Sequence, residues 1–303
     1  MRPRAMALLI ALCVVGSVVA AVWTHSAQHH TQHHMMMPVT VDGERVELAV
    51  RIATPEGPGP FPTLIFHHGS TGGGTDPSTF ATPYFPKPLV DWFTERGWAV
   101  ILPSRRGRGG SEGLYDEGFS PDRAQGYTCD AERLLAGAMR GLRDIEAITP
   151  EILALPFIDK QQVVVGGHSR GGTLAVLWAS RHPGSARAVL NFSGGWRSTS
   201  CATATEVNQA LFDDDPSRTP PALWIYGEDD SLLPLPHSRA NFDAFRARGG
   251  DARFVAFDPP SGINGHQIVD LPPLWQGAVS KFLGDHGLAL DGGLSGPKQA
   301  RTH

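Results

Sequence analysis

Gln161-Gln162-Val163-Val164-Val165-Gly166-Gly167-His168-Ser169-Arg170-Gly171-Gly172 is the stretch that decides how this chain folds. Three consecutive valines read as a buried strand, because β-branched side chains suit a pleated, packed surface. The glycines that follow give the backbone the freedom a sharp reversal needs. Thr173-Leu174-Ala175-Val176-Leu177-Trp178-Ala179-Ser180 then reads as a helix that stops at Pro183-Gly184. Ser169 therefore sits at the tip of a strand–turn–helix, held out toward a ligand. The N–H groups of a helix N-terminus lie behind it, where they favour developing negative charge.

The local pattern Gly167-His168-Ser169-Arg170-Gly171 is weak evidence by itself, because the chain repeats it in Gly109-Gly110-Ser111-Glu112-Gly113. Context separates the two. Ser111 runs into Leu114-Tyr115-Asp116-Glu117-Gly118-Phe119-Ser120-Pro121, which has no helical period and ends in turn residues. Ser111 reads as a loop serine that hydrogen-bonds its own turn, and Ser169 as a nucleophile.

The chain has 303 residues, of which 41% are hydrophobic and 18% charged, as expected for one globular domain with appendages. A formal net charge of −4 provides no basic field for nucleic acid. Arg2 and Arg4 precede an uncharged run over residues 5–23, with small residues at Val18-Val19-Ala20 and Ala21. This is the pattern of an export signal over residues 1–21, removed on secretion. The competing reading is an uncleaved membrane anchor over residues 5–23. Residues 22–38, with His25, His29, His30, His33 and His34, read as a polar linker rather than a metal-binding tail. Residues 285–303 are Gly-rich and polar and read as a flexible tail.

Between them, residues 39–284 alternate strand and helix patterns. Asp42-Gly43 between two alternating runs signals a leading β-hairpin. Strand candidates then follow at 63–67, 99–102, 162–165, 188–192, 222–226 and 253–257. Helix candidates lie at 88–96, 127–148, 171–181, 236–248 and 273–283. Such alternation implies a mostly parallel sheet covered on both faces, with ligands beyond the carboxyl ends of the strands. Ser169 is at such an end.

A serine needs a base to take its proton and a third group to hold that base. Gly227-Glu228-Asp229-Asp230 follows one strand candidate and offers three carboxylates. Asn264-Gly265-His266 lies on the loop after the last strand and offers an imidazole. His237 and His286 read as solvated surface histidines, and His182 suits the end of its helix. His67-His68-Gly69-Ser70-Thr71-Gly72-Gly73-Gly74 follows an early strand, and its glycines let the backbone approach a substrate oxygen. His68 reads as a residue that orients this loop.

Taken together and in order, His68-Gly69-Ser70, the run from Arg105 to Gly113, Gly167-His168-Ser169-Arg170-Gly171, Gly227-Glu228-Asp229-Asp230 and Asn264-Gly265-His266 resemble the α/β-hydrolase superfamily. They resemble in particular its dienelactone-hydrolase-like and prolyl-oligopeptidase-like esterase branch. The resemblance implies an α/β-hydrolase fold with an N-terminal antiparallel hairpin. It implies Ser169 as nucleophile, His266 as base and Asp230 as the third member, with Asp229 the alternative. It implies an oxyanion hole from the N–H groups of Arg170 and Ser70, with Thr71 the alternative to Ser70. Dienelactone hydrolases proper use cysteine where this chain has Ser169, which points to a carboxylesterase or a peptidase. The expected chemistry is acyl transfer on a small-molecule ester, with no cofactor and no metal. A third reading is an inactive binding module on the same fold.

Residues 193–221 contain one short helical pattern, too little for a cap domain. Trp196 is expected near the substrate pocket or packed beneath its loop, and Tyr115 and Phe119 are expected as apolar walls. Once the export segment with Cys13 is removed, Cys129 and Cys201 form an even pair, and an oxidising compartment would join them as a disulfide; the alternative is two separate free thiols.

Overall fold

A computed structural model describes residues 30–71, 77–288 and 290. The expected export segment, residues 22–29 of the linker, Gly72-Gly73-Gly74 of the glycine loop and residues 291–303 of the tail lie outside the described residues.

Eight strands form one sheet: β1 (His30–Val41), β2 (Glu44–Pro55), β3 (Phe61–His67), β4 (Ala99–Pro103), β5 (Ile158–His168), β6 (Ala188–Phe192), β7 (Ala222–Gly227) and β8 (Ala252–Phe257). Their spatial order is β1-β2-β4-β3-β5-β6-β7-β8. β1 pairs antiparallel with β2, and β2 antiparallel with β4, while β4, β3 and β5 to β8 are mutually parallel. Asp42 and Gly43 both adopt positive φ, 54° and 83°, as a tight hairpin between twisted strands requires.

The helices are α1 (Pro77–Ala81), α2 (Lys87–Thr94), α3 (Ala131–Leu153), α4 (Arg170–Arg181), α5 (Ala204–Phe212), α6 (Leu235–Ala247) and α7 (Pro272–Asp285). Two apolar layers flank the sheet. One gathers Leu134, Leu142 and Ile145 of α3 with Leu174 and Leu177 of α4 against Val163 and Val165. The other gathers Leu89 and Phe93 of α2 with Trp275, Val279 and Phe282 of α7 against Leu64, Phe66 and Val164. Alternate residues of β3 and β5 thus face opposite layers, which is why these strands are apolar throughout.

Three boundaries differ from those expected. β1 begins at His30, so residues 30–38 belong to the edge of the sheet and not to a linker. Pairing with β2 as far as His30↔Pro55 engages the backbone groups that face β2, and Met37, Val39 and Val41 are buried in alternation. The long helix starts at Ala131, where the Asp130 side chain accepts from the Arg133 N–H at 2.9 Å and caps it. α7 runs to Asp285, and Leu288 beyond it is buried, so the folded part continues past residue 284. Between β6 and β7 the chain builds only α5 and a single turn at Pro216–Arg218, so no large cap stands there.

Candidate active site

Ser169 is at the junction of β5 and α4, with φ 57° and ψ −123°. A non-glycine residue in this region is strained, at a cost of roughly 1–3 kcal/mol. Hydrogen bonds hold it there: its N–H donates to Phe192 O at 2.9 Å, and its C=O accepts from the N–H of Gly172 (2.9 Å) and Thr173 (3.2 Å). The flanking glycines are steric necessities. A Cβ on Gly167 would stand 2.3 Å from the Gly171 carbonyl, and one on Gly171 would stand 2.0 Å from His67 O. Helix α4 can therefore approach the ends of β3 and β5 only without those side chains.

His266 lies on the loop after β8. Its Nδ1 is 2.8 Å from Asp230 Oδ2. Asp230 is buried just past β7, and its Oδ1 accepts from the N–H of Leu232 (2.8 Å) and Leu233 (2.9 Å). Burial pushes its carboxyl up, but the bonds from His266, Leu233 and Leu232 outweigh this and hold it below the ordinary carboxylate value. An ionised Asp230 only accepts, so His266 Nδ1 carries the proton and Nε2 is left as the basic nitrogen. Glu228 and Asp229 are exposed, and Asp229 takes a positive φ of 54°. Of the three adjacent carboxylates, only Asp230 reaches the imidazole. Ser169 and His266 open on one cavity of about 50 Å³, lined also by Ser70, Tyr127, Arg170, Trp196, Arg197 and Leu232. Ser169 Oγ forms no hydrogen bond among the described residues, which leaves it available to a substrate.

The loop after β3 is anchored from behind. His68 Nδ1 donates to Gly69 O at 2.7 Å, and the Arg105 guanidinium donates to Gly69 O (3.4 Å) and His68 O (2.9 Å). The Gly69–Ser70 peptide is trans, so a carbonyl held backward aims the Ser70 N–H the opposite way. His68 Nε2 accepts from the Arg105 N–H at 3.1 Å. Burial, followed by the charges of Arg105 and Arg108, holds His68 well below the ordinary histidine value. With both nitrogens engaged, its ring holds the loop and keeps no free lone pair.

A buried network lies beneath, which the sequence did not disclose. Glu117 pairs with Arg105 and lies 3.6 Å from Arg170 Nη1. Burial pushes the Glu117 carboxyl up, but the Arg105 charge and hydrogen bond, with Arg170 next, bring it below its ordinary value. Arg170 also donates to Glu117 O (2.7 Å) and Trp196 O (3.0 Å), and its guanidinium lies between the rings of Tyr127 (4.0 Å) and Trp196 (4.5 Å). Glu117 thus joins the residue that holds the Ser70 peptide to the residue that follows Ser169.

Several expectations are corrected. Tyr115 does not line the cavity: it is 2% exposed, and its hydroxyl donates to Glu117 at 3.0 Å. Tyr127, 3.0 Å from that hydroxyl, occupies the wall instead. Phe119 is buried against Tyr127. Trp196 both packs on Arg170 and lines the cavity. His237 is half-buried rather than solvated, with Nε2 bonded to the side-chain amides of Asn208 (2.9 Å) and Asn241 (3.1 Å). Asn208 in turn accepts from the N–H of Trp196 and Arg197 and so shapes the cavity wall. Ser111 donates to Ser104 O and accepts from the Ala49 N–H, which staples its loop to β2. Cys129 and Cys201 are joined by a disulfide, with Cα atoms 5.6 Å apart. No group of three His, Cys, Asp or Glu side chains among the described residues is placed to hold a metal ion.

Known proteins share this arrangement of elements. The sequence model of the alpha/beta hydrolase fold matches residues 62–209. A rice (Oryza sativa subsp. japonica) protein named "Probable inactive carboxylesterase" is 27% identical over 120 residues, 40% of this chain. That match spans 46% of the rice protein's own length. Among solved structures, an esterase of Pyrococcus furiosus is similar at 15% identity, with 84% of this chain and 90% of that one covered and a TM-score of 0.56. Est1E from Butyrivibrio proteoclasticus is similar at 17% identity, with 83% and 98% covered and a TM-score of 0.55. An acylaminoacyl peptidase of Pyrococcus horikoshii is similar at 18% identity, with 85% and 42% covered and a TM-score of 0.59.

Proposed function

Because the chain has the α/β-hydrolase fold, and because His266 bonds Asp230 while opening on the same cavity as Ser169, we propose that it is a serine hydrolase of carboxylic esters. Ser169 Oγ attacks the substrate carbonyl as His266 Nε2 takes its proton. The oxyanion receives the N–H groups of Ser70 and Arg170. His266 then protonates the departing alcohol, and water repeats the sequence on the acyl-enzyme. Asp230 holds the imidazole tautomer and stabilises its charged form. The small cavity beside Ser169 suits a short acyl group, and the absence of a cap between β6 and β7 suits water-soluble esters.

Export is part of the same proposal. The charged, apolar, small-residue order of residues 1–21 and the bonded pair Cys129–Cys201 both suit an oxidising compartment.

The test is hydrolysis of short p-nitrophenyl esters by the wild type and Ser169→Ala, with a fluorophosphonate probe on both. Turnover and labelling by the wild type, both absent from Ser169→Ala, are expected. The inactive reading suggested by the rice relative predicts neither turnover nor labelling in the wild type. Aminoacyl amides cleaved faster than esters would favour a peptidase.

A further inference from the structure

Arg105, Arg106 and Arg108 follow β4 within one turn of chain, and their charges are met differently. Arg105 pairs with Glu117, and Arg106 with Asp144 and Asp42. Arg108 has no carboxylate at ion-pair distance among the described residues, yet it is only 7% exposed. Its Nε and Nη1 are buried without a hydrogen-bond partner. Among the described residues, the ring of Tyr115 lies 5.1 Å from the guanidinium carbon, and a ring compensates a desolvated charge only in part. A buried guanidinium left in this state is costly, and a structural role alone gives no reason to keep it.

Its position gives one. Arg108 lines an open groove of about 440 Å³ with Ser70, Thr71, Thr79, Thr82 and Tyr84. The Tyr84 hydroxyl is a third buried polar atom in that lining without a partner among the described residues. Among the described residues, no acidic side chain lines the groove. Ser70 belongs to this groove and also to the cavity of Ser169 and His266, so the two spaces meet at the proposed oxyanion donor.

We propose that Arg108 anchors an anionic group of the substrate in this groove, a carboxylate, phosphate or sulfate, while the scissile carbonyl lies against Ser169. The substrates are then esters that carry a negative charge away from the reacting bond. This rests on the ester-hydrolase reading of Ser169. A planar guanidinium whose Nε and Nη1 lack hydrogen-bond partners among the described residues is suited to the paired oxygens of such a group. The pairing forms only when substrate enters, so the energy withheld from folding becomes available to binding.

The experiment compares matched esters: monomethyl adipate with methyl hexanoate, and 2-acetoxyethyl phosphate with 2-acetoxyethanol. The wild type is expected to favour the anionic member of at least one pair by tenfold or more in kcat/KM, through KM, with the preference shrinking at high salt. The pair that responds distinguishes a carboxylate from a phosphate ligand. In Arg108→Met the ratio is expected to fall to near one, and in Arg108→Lys to an intermediate value. The Tm of Arg108→Met is expected to stay level or rise, since an unpaired buried charge has been replaced by an apolar chain of similar length. A wild type with no anionic preference, or a preference that survives Arg108→Met, overturns the proposal. A lowered Tm with the preference intact assigns Arg108 a structural role and also overturns it. If the wild type hydrolyses no ester, the reading of Ser169 fails separately. The groove is then read in Ser169→Ala by the Tm shift that inorganic phosphate or adipate produces, and a shift that does not depend on Arg108 rejects the site.

Discussion

The ring of His168 donates a hydrogen bond to the backbone carbonyl of His266 at 2.7 Å. The residue just before the candidate nucleophile therefore holds the loop of the candidate base. Burial, then the neighbouring His266, lowers His168 to about 3, so it is neutral at working pH. A carbonyl can only accept, so His168 Nε2 carries the proton. His168→Phe keeps a ring beside Tyr84 but removes the donor. It is expected to lower kcat about tenfold with a smaller change in KM, as for a misplaced base, and to cost about 1–3 kcal/mol of stability for the unpaired carbonyl. Steady-state kinetics and urea unfolding check both.

Asp230→Asn is expected to reduce kcat for a short aryl ester by about 10⁴, since the amide favours the wrong imidazole tautomer. The neighbouring change Asp229→Asn is expected to leave kcat within about twofold, because that exposed side chain does not reach His266. Equal losses in the two variants would remove Asp230 from the proposed triad.

Stability is expected to fall on acidification. Burial, and then the Arg105 charge, lowers His67 to about 3, and His168 is lowered similarly. Their folded values lie below the unfolded value of about 6.5, so the unfolded chain binds more protons between those limits. Their contribution is complete above about pH 6.5 and is lost as pH falls toward 3, by up to about 1.4 kcal/mol per pH unit for each ring. Both nitrogens of His67 lack hydrogen-bond partners among the described residues. His67→Leu is therefore expected to flatten the dependence by one ring's share, as measured by urea midpoints between about pH 7 and pH 5.

Glu117→Gln removes the charge that Arg105 and Arg170 share. Breaking a buried pair on one side costs about 3–5 kcal/mol, so a clear drop in Tm is expected. Because both proposed oxyanion donors rest on this network, kcat is expected to fall more than the affinity for a ground-state ester analogue. A loss confined to Tm would confine Glu117 to a structural role.

Reduction of Cys129–Cys201, which closes a separation of 72 residues, is expected to cost about 2–4 kcal/mol. Thermal unfolding with and without reductant measures it, and an unchanged Tm would argue against a contribution from the bridge.

The readable parts of this site were those written in local backbone pattern. Ser169 announced itself through valines, glycines and a helix within a dozen residues, and His266 through its place after the last strand. Asp230 was not separable from Asp229 on residue type, because the choice depends on which carboxylate turns inward to the Leu232 and Leu233 N–H groups. The exchange of Tyr115 for Tyr127 at the cavity wall has the same origin. Both tyrosines lie in an aperiodic loop, and their order is set by a hydroxyl chain that ends on buried Glu117. Arg105, Glu117 and Arg170 meet through tertiary contact between two loops and the start of α4, and no periodicity marks that in advance. The edge strand over residues 30–38 was obscured because histidines and methionines dominate its composition, while its pairing runs through the backbone.

The missing side chains at Gly167 and Gly171 act as a mechanical gauge. With a Cβ at residue 171 only 2.0 Å from His67 O, the gap between the turn that holds Ser169 and the strand that leads into Ser70 is set by hard-core contact. Repulsion of that kind barely responds to ionic strength, proton concentration or solvent polarity. The spacing between the proposed attacking atom and the proposed oxyanion donor should therefore persist across conditions that loosen the charged network beneath it. A single methyl group at residue 171 should spoil that spacing while every reactive group of the site remains in place.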